Sequence, residues 1–433
     1  MVMPVRFGTD GIRGRASDEI TVDLAYRLGR AVASVFSVPI FVGYDTRESS
    51  PTLAAAVLAG LADGGATGIN LGYFTTPGVA VIAQQRGGAG VVVSASHNPY
   101  YDNGLKVLGV GGAKLDHATE AAVESALNVA ESPSTNEFDT VDIDESAEHD
   151  YATHLRELAP GDLSSLSIVI DCANGASSHV AHELFAATGA TLRVIHDQPN
   201  GRNINEGSGS THVESLVAAV LEFNADLGLA LDGDADRLIA VDSEGTVRDG
   251  DDLMVLFALD RHERAVLGGG VVVTSMSNLG LHRALGAAQI EIEETDVGDR
   301  NVLLALEDKG WILGGEQSGH VIFRDLAPTG DGLLTGLLLG ELVVRRGPLA
   351  ELAGGAWRRV PQELFGVSLE HFSDEIVQGL FNELLEVYGV DRADVRLLVR
   401  PSGTEPLVRI MIEALNAEFV EVFAERLKSL YGP

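Results

Sequence analysis

Several short stretches of this sequence bring together residue types that can do chemistry. Residues 91–99 read Val-Val-Val-Ser-Ala-Ser-His-Asn-Pro. The valines suit a buried strand and Asn-Pro bars a helix directly afterwards, so the hydroxyls are displayed on a loop at the strand's end. Ser96 is there a candidate nucleophile able to carry a phosphoryl group, with His97 beside it; a polar turn is the plainer alternative. Residues 229–240 place Asp232, Asp234 and Asp236 at alternate positions. On an extended chain these carboxylates share one side, and a hard divalent cation is the simplest way to hold three like charges together. An EF-hand is excluded, because Arg237 stands where its glycine belongs and Ser243 where its closing glutamate belongs. Mg²⁺ suits the loop better than Ca²⁺, since it uses few protein carboxylates and completes its shell with phosphate or water. A solvated acidic turn is the alternative.

The remaining stretches are suited to holding a ligand. Residues 312–320 set Glu316 and Ser318 among glycines and end in His320. Carboxylate and hydroxyl suit vicinal sugar hydroxyls, and the imidazole is either a proton carrier near neutral pH or a structural hydrogen-bonder. Residues 400–406, Arg-Pro-Ser-Gly-Thr-Glu-Pro, gather Arg400, Ser402, Gly403 and Thr404 into a donor array of the kind that grips phosphate. Arg237 and Arg409 are further candidate substrate contacts. Residues 7–14 pack glycines around Arg13, whose planar fork matches a phosphate or carboxylate, and Lys106 follows Ser96 by ten residues. Nucleophile, metal loop, hydroxyl-reading loop and cationic loops together describe phosphoryl transfer on a sugar phosphate.

The elements that must position these loops follow from periodicity. Helical patterns run over residues 21–37, 53–64, 77–85, 116–131, 333–344 and 373–388. Strand patterns run over 40–43, 68–72, 91–93, 168–170, 271–274, 395–399 and 408–412. Alternation of the two predicts an α/β protein of mixed or mainly parallel sheets. Residues 132–150, rich in acids, Ser and Pro, read as a linker, and Gly354-Gly355 as a second break. The expected division is 1–145, 151–250, 251–354 and 360–433, four units carrying the serine, metal, sugar and phosphate-gripping loops in turn. A partial echo between the first two units falls short of a demonstrated repeat.

Composition sets outer limits. The 433 residues carry 63 acidic against 30 basic side chains, a net charge of −33, which repels nucleic acid and anionic membranes and requires any anionic substrate to find a locally cationic site. Lys106, Lys114, Lys309 and Lys428 are the only lysines. Acidic excess with scarce lysine is similar to the surface of a halophilic, archaeal protein. A solitary Cys172 excludes an internal disulfide and a cysteine-rich metal site, which fits a reducing interior. No signal-peptide core or membrane-length apolar run is found, so a cytoplasmic protein is expected. A dinucleotide-binding dehydrogenase is disfavoured, because no Gly-x-Gly-x-x-Gly follows an early strand.

In order and spacing, the serine, triple-aspartate, Gly-Glu-Gln-Ser-Gly-His and Arg-Pro-Ser-Gly-Thr-Glu-Pro stretches resemble those of the α-D-phosphohexomutases. The motif around Arg13, the Tyr-Asp-Asn-Gly-Leu-Lys of residues 101–106 and Gln317 are most similar to the branch acting on glucosamine phosphate. The resemblance implies four domains around a central cleft, three related α/β domains of mixed or parallel sheets and a smaller C-terminal α+β domain. It implies a phosphorylated Ser96 sharing one Mg²⁺ with Asp232, Asp234 and Asp236, and a hexose 1,6-bisphosphate as activator. It also implies interconversion of glucosamine 6-phosphate and glucosamine 1-phosphate through a bisphosphate that turns end over end. Glu316 and Ser318 would bind ring hydroxyls, and Arg400, Ser402, Gly403 and Thr404 the phosphate that is not reacting. Arg13 and Lys106 would help the transferring group, with His97, Lys106 and His320 as candidates for proton transfer. A mannose or glucose phosphate mutase of the same family, a Mg²⁺-dependent sugar phosphatase and a non-catalytic sensor are the alternatives. The partner is a small sugar phosphate, with no nucleic acid or membrane and a monomer or homodimer as the assembly. One departure stands out: Asp296 occupies a position where many relatives carry lysine, with Arg300 as a possible replacement.

Overall fold

The computed structural model describes residues 7–8, 10–401 and 407–432. The first sheet contains β1 (Ile12–Arg15), β2 (Ile40–Tyr44), β3 (Gly68–Tyr73), β4 (Ala89–Val93) and β5 (Asp102–Leu108), in the order β1-β5-β4-β2-β3. The second contains β6 (Ser167–Asp171), β7 (Thr191–Ile195), β8 (Leu227–Leu231), β9 (Leu238–Asp242) and β10 (Val247–Arg248), in the order β10-β9-β8-β6-β7. In each, three parallel strands are followed by an antiparallel hairpin partner and an antiparallel edge strand. The third sheet has β11 (Val271–Thr274), β12 (Ile292–Thr295), β13 (Leu313–Gly315) and β14 (Val321–Phe323), and repeats the scheme without the last strand, β12-β11-β13-β14.

The serine, aspartate and sugar loops therefore sit at one topological position, the hairpin that leaves the parallel trio: β4 to β5, β8 to β9 and β13 to β14. The central strands β2, β4, β6 and β8 have nearly continuous apolar sequences because both faces are covered. Helix Val22–Val35, capped by the Thr21 hydroxyl, lies against helix Ser50–Asp63 at a crossing where side chains are excluded. A Cβ on Gly60 would stand 2.0 Å from the Tyr26 carbonyl oxygen, so only glycine permits this approach.

One apolar cluster runs through these units, from Phe41 and Phe74 through Tyr151, Ile168 and Phe185 to Phe257 and Phe323. The last unit is α+β, with β15 (Gln362–Ser368), β16 (Val395–Pro401) and β17 (Leu407–Ala414) in antiparallel order β15-β17-β16 and a separate core around Phe381, Ile410, Phe419 and Phe423. It docks on the third through polar contacts, including Leu279 N–H to Glu413 at 3.1 Å and the Asn278 amide to the Val360 carbonyl at 3.0 Å.

The structure amends the sequence reading in four places. Gly354 and Gly355 lie inside helix Leu349–Ala356, where the preceding apolar residues pack the helix and offset the glycine cost. The acidic linker ends early: Ile143 bridges to Asn70, and helix Ser146–Leu158 begins within the stretch read as linker. Part of the loop around Arg13 is strand β1, paired with β5. The three aspartates occupy a tight turn instead of an extended segment, with Ala235 in the left-handed region at φ 59°. Among the described residues, no helix is long and apolar enough to cross a membrane.

Candidate active site

The serine loop is built to turn its backbone inward. β4 ends at Val93; the Ser94 hydroxyl donates to Asp45 at 2.5 Å and accepts from the Ser96 N–H at 3.0 Å. Ser96 itself is held at φ 52°, a conformation a serine keeps only when its surroundings impose it. Arg47, wholly buried, imposes it. Its guanidinium donates to the carbonyls of Ser96 at 2.9 Å, Asn98 at 2.8 Å and Asp102 at 3.1 Å, and to that of Pro99, while its Nε pairs with Asp45 at 2.8 Å. From the second domain the Asn205 amide donates to the same Ser96 and Asn98 carbonyls, at 2.8 and 3.0 Å. With its carbonyl claimed on one side, Ser96 presents its Oγ on the other, 2.5 Å from Asp232 Oδ2 and 3.2 Å from His97 Nδ1.

Asp232, Asp234 and Asp236 are buried, and one oxygen from each lies within 4.8 Å of the others. Asp232 also accepts from the Arg237 N–H at 3.2 Å, while Asp234 Oδ2 accepts from the Thr76 hydroxyl at 2.6 Å and from Lys106 Nζ at 2.7 Å. Asp234 Oδ1 and Asp236 Oδ1 are buried and accept no hydrogen bond among the described residues, with Arg237 Nε and His320 Nδ1 each 3.8 Å from Asp236 Oδ1. Orphaned carboxylate oxygens directed into a shared space suit a hard, oxygen-seeking divalent cation. Burial and the charges of Asp236 and Asp234 push the Asp232 carboxyl well above the usual range. Asp236 moves the other way: burial opposes its charge, but Lys106, His320 and Arg237 outweigh it.

Cations surround this triad. Lys106, on β5, lies 2.8 Å from Asp10 and 3.9 Å from Asp236, and Lys114 bridges Asp10 at 2.9 Å to Asp299 at 2.6 Å. Arg13 pairs with Asp10. Burial opposes the Lys106 charge, but Asp10, Asp234 and Asp236 raise its pKa, so it stays an ammonium at neutral pH. The two histidines differ. Burial, then Arg237 and Arg13, bring His97 down to about 4. His320 rises to about 9, because contact with Asp236 and the charges of Asp299 and Glu316 outweigh its burial.

The sugar loop faces these groups across a cavity of about 970 Å³, lined by Arg13, His97, Asp236, Arg237, Glu316, Ser318 and His320. Gly319, at φ 94°, turns the loop so that its carbonyl accepts from Leu238 N–H at 3.0 Å, tying the third domain to the start of β9. Glu316 accepts from Gly298 N–H at 2.9 Å, which orients one carboxylate oxygen. Arg300 is engaged with Glu120 at 2.5 Å and His117 at 3.2 Å, joining first and third domains, so it is not free to replace the absent lysine at 296. Asp296 is exposed.

The phosphate grip is only partly visible. Arg400 on β16 stands opposite Arg409 on β17, and the buried Arg400 Nε has no hydrogen-bond partner among the described residues. Ser402, Gly403 and Thr404 lie outside the described residues, and neither arginine is among the residues lining the large cavity. Sequence reasoning passed over Asp10, Asp45, Arg47, Thr76, Lys114, Asn205 and Asp299. Asp10 lies within a motif singled out for Arg13; nothing local signals that Arg47 or Asn205 reaches the serine loop.

Comparisons with known proteins agree along the chain. Models of phosphoglucomutase/phosphomannomutase α/β/α domains I, II and III match residues 4–134, 149–245 and 249–360, and that of the C-terminal domain matches 367–429. The phosphoglucosamine mutase of Anoxybacillus flavithermus is 42% identical over 440 residues, covering 98% of each chain. That of Rhodococcus opacus is 43% identical, covering 97% of this chain and 98% of its own. In fold the chain is similar to a phosphoglucomutase/phosphomannomutase family protein from Burkholderia thailandensis, with TM-score 0.77 at 23% identity over 99% and 98% of the two chains. It is also similar to the N-acetylphosphoglucosamine mutase of Aspergillus fumigatus, solved with GlcNAc-6P and magnesium, with TM-score 0.69 at 18% identity over 98% and 95%.

Proposed function

We propose that this chain, which belongs to the phosphoglucomutase/phosphomannomutase family of α-D-phosphohexomutases, is an isomerase that interconverts glucosamine 6-phosphate and glucosamine 1-phosphate by passing a phosphoryl group through Ser96. The observation that carries this reading is the 2.5 Å contact of Ser96 Oγ with an aspartate of the triad, across two domains, beside orphaned carboxylate oxygens. Mg²⁺ held by Asp232, Asp234, Asp236 and a phosphoserine oxygen would supply Lewis-acid stabilisation of the transferring group.

The chain's own residues account for the rest. Glu316 and Ser318 bind vicinal ring hydroxyls and bring the free C1 or C6 hydroxyl to phospho-Ser96. As the new O–P bond forms, the bond from phosphorus to Ser96 Oγ breaks; the sugar hydroxyl gives its proton to a nearby base, and Ser96 Oγ takes up a proton from a nearby acid to regain the hydroxyl that donates to Asp232. His97, Lys106 and His320 are the candidates for proton transfer: His97, neutral at pH 7, can accept the proton, whereas His320 and Lys106, protonated there, can donate one. Arg13, Lys106 and Arg237 balance charge on the phosphoryl oxygens. Arg400, Ser402, Gly403, Thr404 and Arg409 hold the distal phosphate. After the bisphosphate reorients, its other phosphate returns to Ser96, and a hexose 1,6-bisphosphate primes an unphosphorylated enzyme. Domain limits of 1–145, 151–250, 251–354 and 360–433 and a cytoplasmic location complete the reading.

Purified protein with Mg²⁺ and a trace of glucose 1,6-bisphosphate should form glucosamine 1-phosphate from glucosamine 6-phosphate, with kcat/KM higher than for glucose or mannose 6-phosphate. Ser96→Ala should lower kcat by roughly a thousandfold or more. Phosphate release outpacing isomer formation would identify a phosphatase instead, and a preference for the mannose or glucose substrate would reassign the sugar.

A further inference from the structure

Asp10 has no part in the chemistry so far, yet it gathers three cationic side chains, as many as Asp236 of the triad and at shorter range. It sits in the turn before β1, closed by the Gly8 N–H to Gly11 carbonyl bond at 2.8 Å. Its carboxylate takes Lys106 at 2.8 Å, Lys114 at 2.9 Å and the Arg13 guanidinium. Two of the chain's four lysines thus converge on one side chain. Asp10 and Arg13 both line the large cavity.

A carboxylate at the wall of a phosphate-handling cleft opposes the substrate's charge unless it serves another purpose. The distances identify one. Lys106 Nζ is shared between Asp10 at 2.8 Å and Asp234 at 2.7 Å, with Asp236 at 3.9 Å. In a buried site the triad is a strong attractor for any nearby ammonium or guanidinium. A cation drawn fully onto it would occupy the oxygens a metal needs and would withdraw from the transferring phosphoryl group. Asp10 competes with the triad for the same ammonium. We propose that Asp10 is a positioning residue that shares Lys106 with Asp234 and holds Arg13 at the cleft wall, so that neither cation is drawn wholly onto the metal-binding aspartates and both face the phosphoryl group in transfer. Lys114 extends the same carboxylate to Asp299, which lies 4.0 Å from His320 Nε2.

The inference rests on Ser96 as the phosphoryl carrier, and the experiment separates the two. Asp10→Asn keeps the shape and removes the charge. It should lower kcat about tenfold or more at saturating sugar phosphate and Mg²⁺, and raise the Mg²⁺ concentration for half-activation roughly tenfold. Lys114→Met breaks the Asp10–Lys114–Asp299 link between domains and should change both quantities by less than about threefold, as expected of a mainly structural contact. Asp10→Glu keeps the charge and should restore the Mg²⁺ requirement to within about twofold while kcat stays reduced about threefold. Should Asp10→Asn fail to fold, Asp10→Glu carries the test.

Wild-type kcat and Mg²⁺ response in Asp10→Asn, wild-type kcat in Asp10→Glu, or equal losses in Asp10→Asn and Lys114→Met would each overturn the proposal. Intact mass after mixing dephosphorylated protein with glucose 1,6-bisphosphate reports the first transfer directly. Slower labelling in Asp10→Asn than in wild type supports the positioning role. Wild-type protein that takes no phosphoryl group on Ser96 would remove the underlying reading, whereas normal labelling of both proteins would remove only the role of Asp10.

Discussion

The loop bearing Ser96 and the loop bearing the three aspartates leave the same hairpin of two sheets with the same strand order, and each turns on one left-handed residue, Ser96 at φ 52° and Ala235 at φ 59°. Their surroundings are opposite. Around Ser96 a buried guanidinium and an amide claim the backbone carbonyls, so the loop is satisfied by the protein alone. Around Asp232, Asp234 and Asp236, two buried carboxylate oxygens accept no hydrogen bond among the described residues, so the loop keeps acceptor capacity for a ligand. A shared scaffold has been used once to fix a reactive group rigidly and once to hold charge in readiness for a ligand. The difference lies in which side-chain atoms are left without a hydrogen bond, since both loops leave the same place in the strand order.

Arg47 and the metal site give the comparison its sharpest tests. Replacing Arg47 with alanine strands Asp45 and several loop carbonyls in the interior, and should cost about 3–5 kcal/mol by chemical denaturation. A loss under about 1 kcal/mol would mean that the serine loop does not depend on this guanidinium. Adding Mg²⁺ at about a hundred times its dissociation constant should stabilise wild-type protein by about 2.7 kcal/mol. Asp232→Asn should lose that gain without losing metal-free stability, because burial and its neighbours already disfavour the Asp232 carboxylate. Equal stabilisation of both proteins would place the cation elsewhere. The smallest effect is expected for Asn205→Ala, which removes one of two donors from the Ser96 and Asn98 carbonyls and should cost about 1–2 kcal/mol. Its kcat should fall further than its stability predicts, since the second domain then no longer holds the nucleophile in register; an unchanged kcat would limit Asn205 to a structural contact.

The first and third domains are joined in a different manner, through Lys114–Asp299 and Arg300–Glu120 at the rim of the cleft. These pairs are charged and partly open to solvent, unlike the closed network around Arg47. Arg300 is therefore occupied as a link between domains, and the region around Asp296 keeps an acidic character. The fourth domain, with its own core and a polar seam against the third, completes the gradient from fused to docked units.

Sequence by itself determined the α/β class, the phosphohexomutase family, the strands β2, β3, β4 and β6, and the loops that follow β4, β8 and β13. These signals are short-ranged: β-branched runs bury locally, Asn-Pro and glycine end them, and unusual residue sets in such turns stand out. Where the local signal was ambiguous, packing decided. Gly354 and Gly355 join a helix, β1 forms because β5 lies beside it, and the aspartates approach by a turn that alternation does not describe. Only the tertiary structure decided which residues support the chemistry. Arg47, Asn205 and Asp10 are ordinary polar residues in their own segments. They acquire meaning because three sheets direct equivalent hairpins into one cleft, where carbonyls, carboxylates and cations far apart in sequence must satisfy one another away from water.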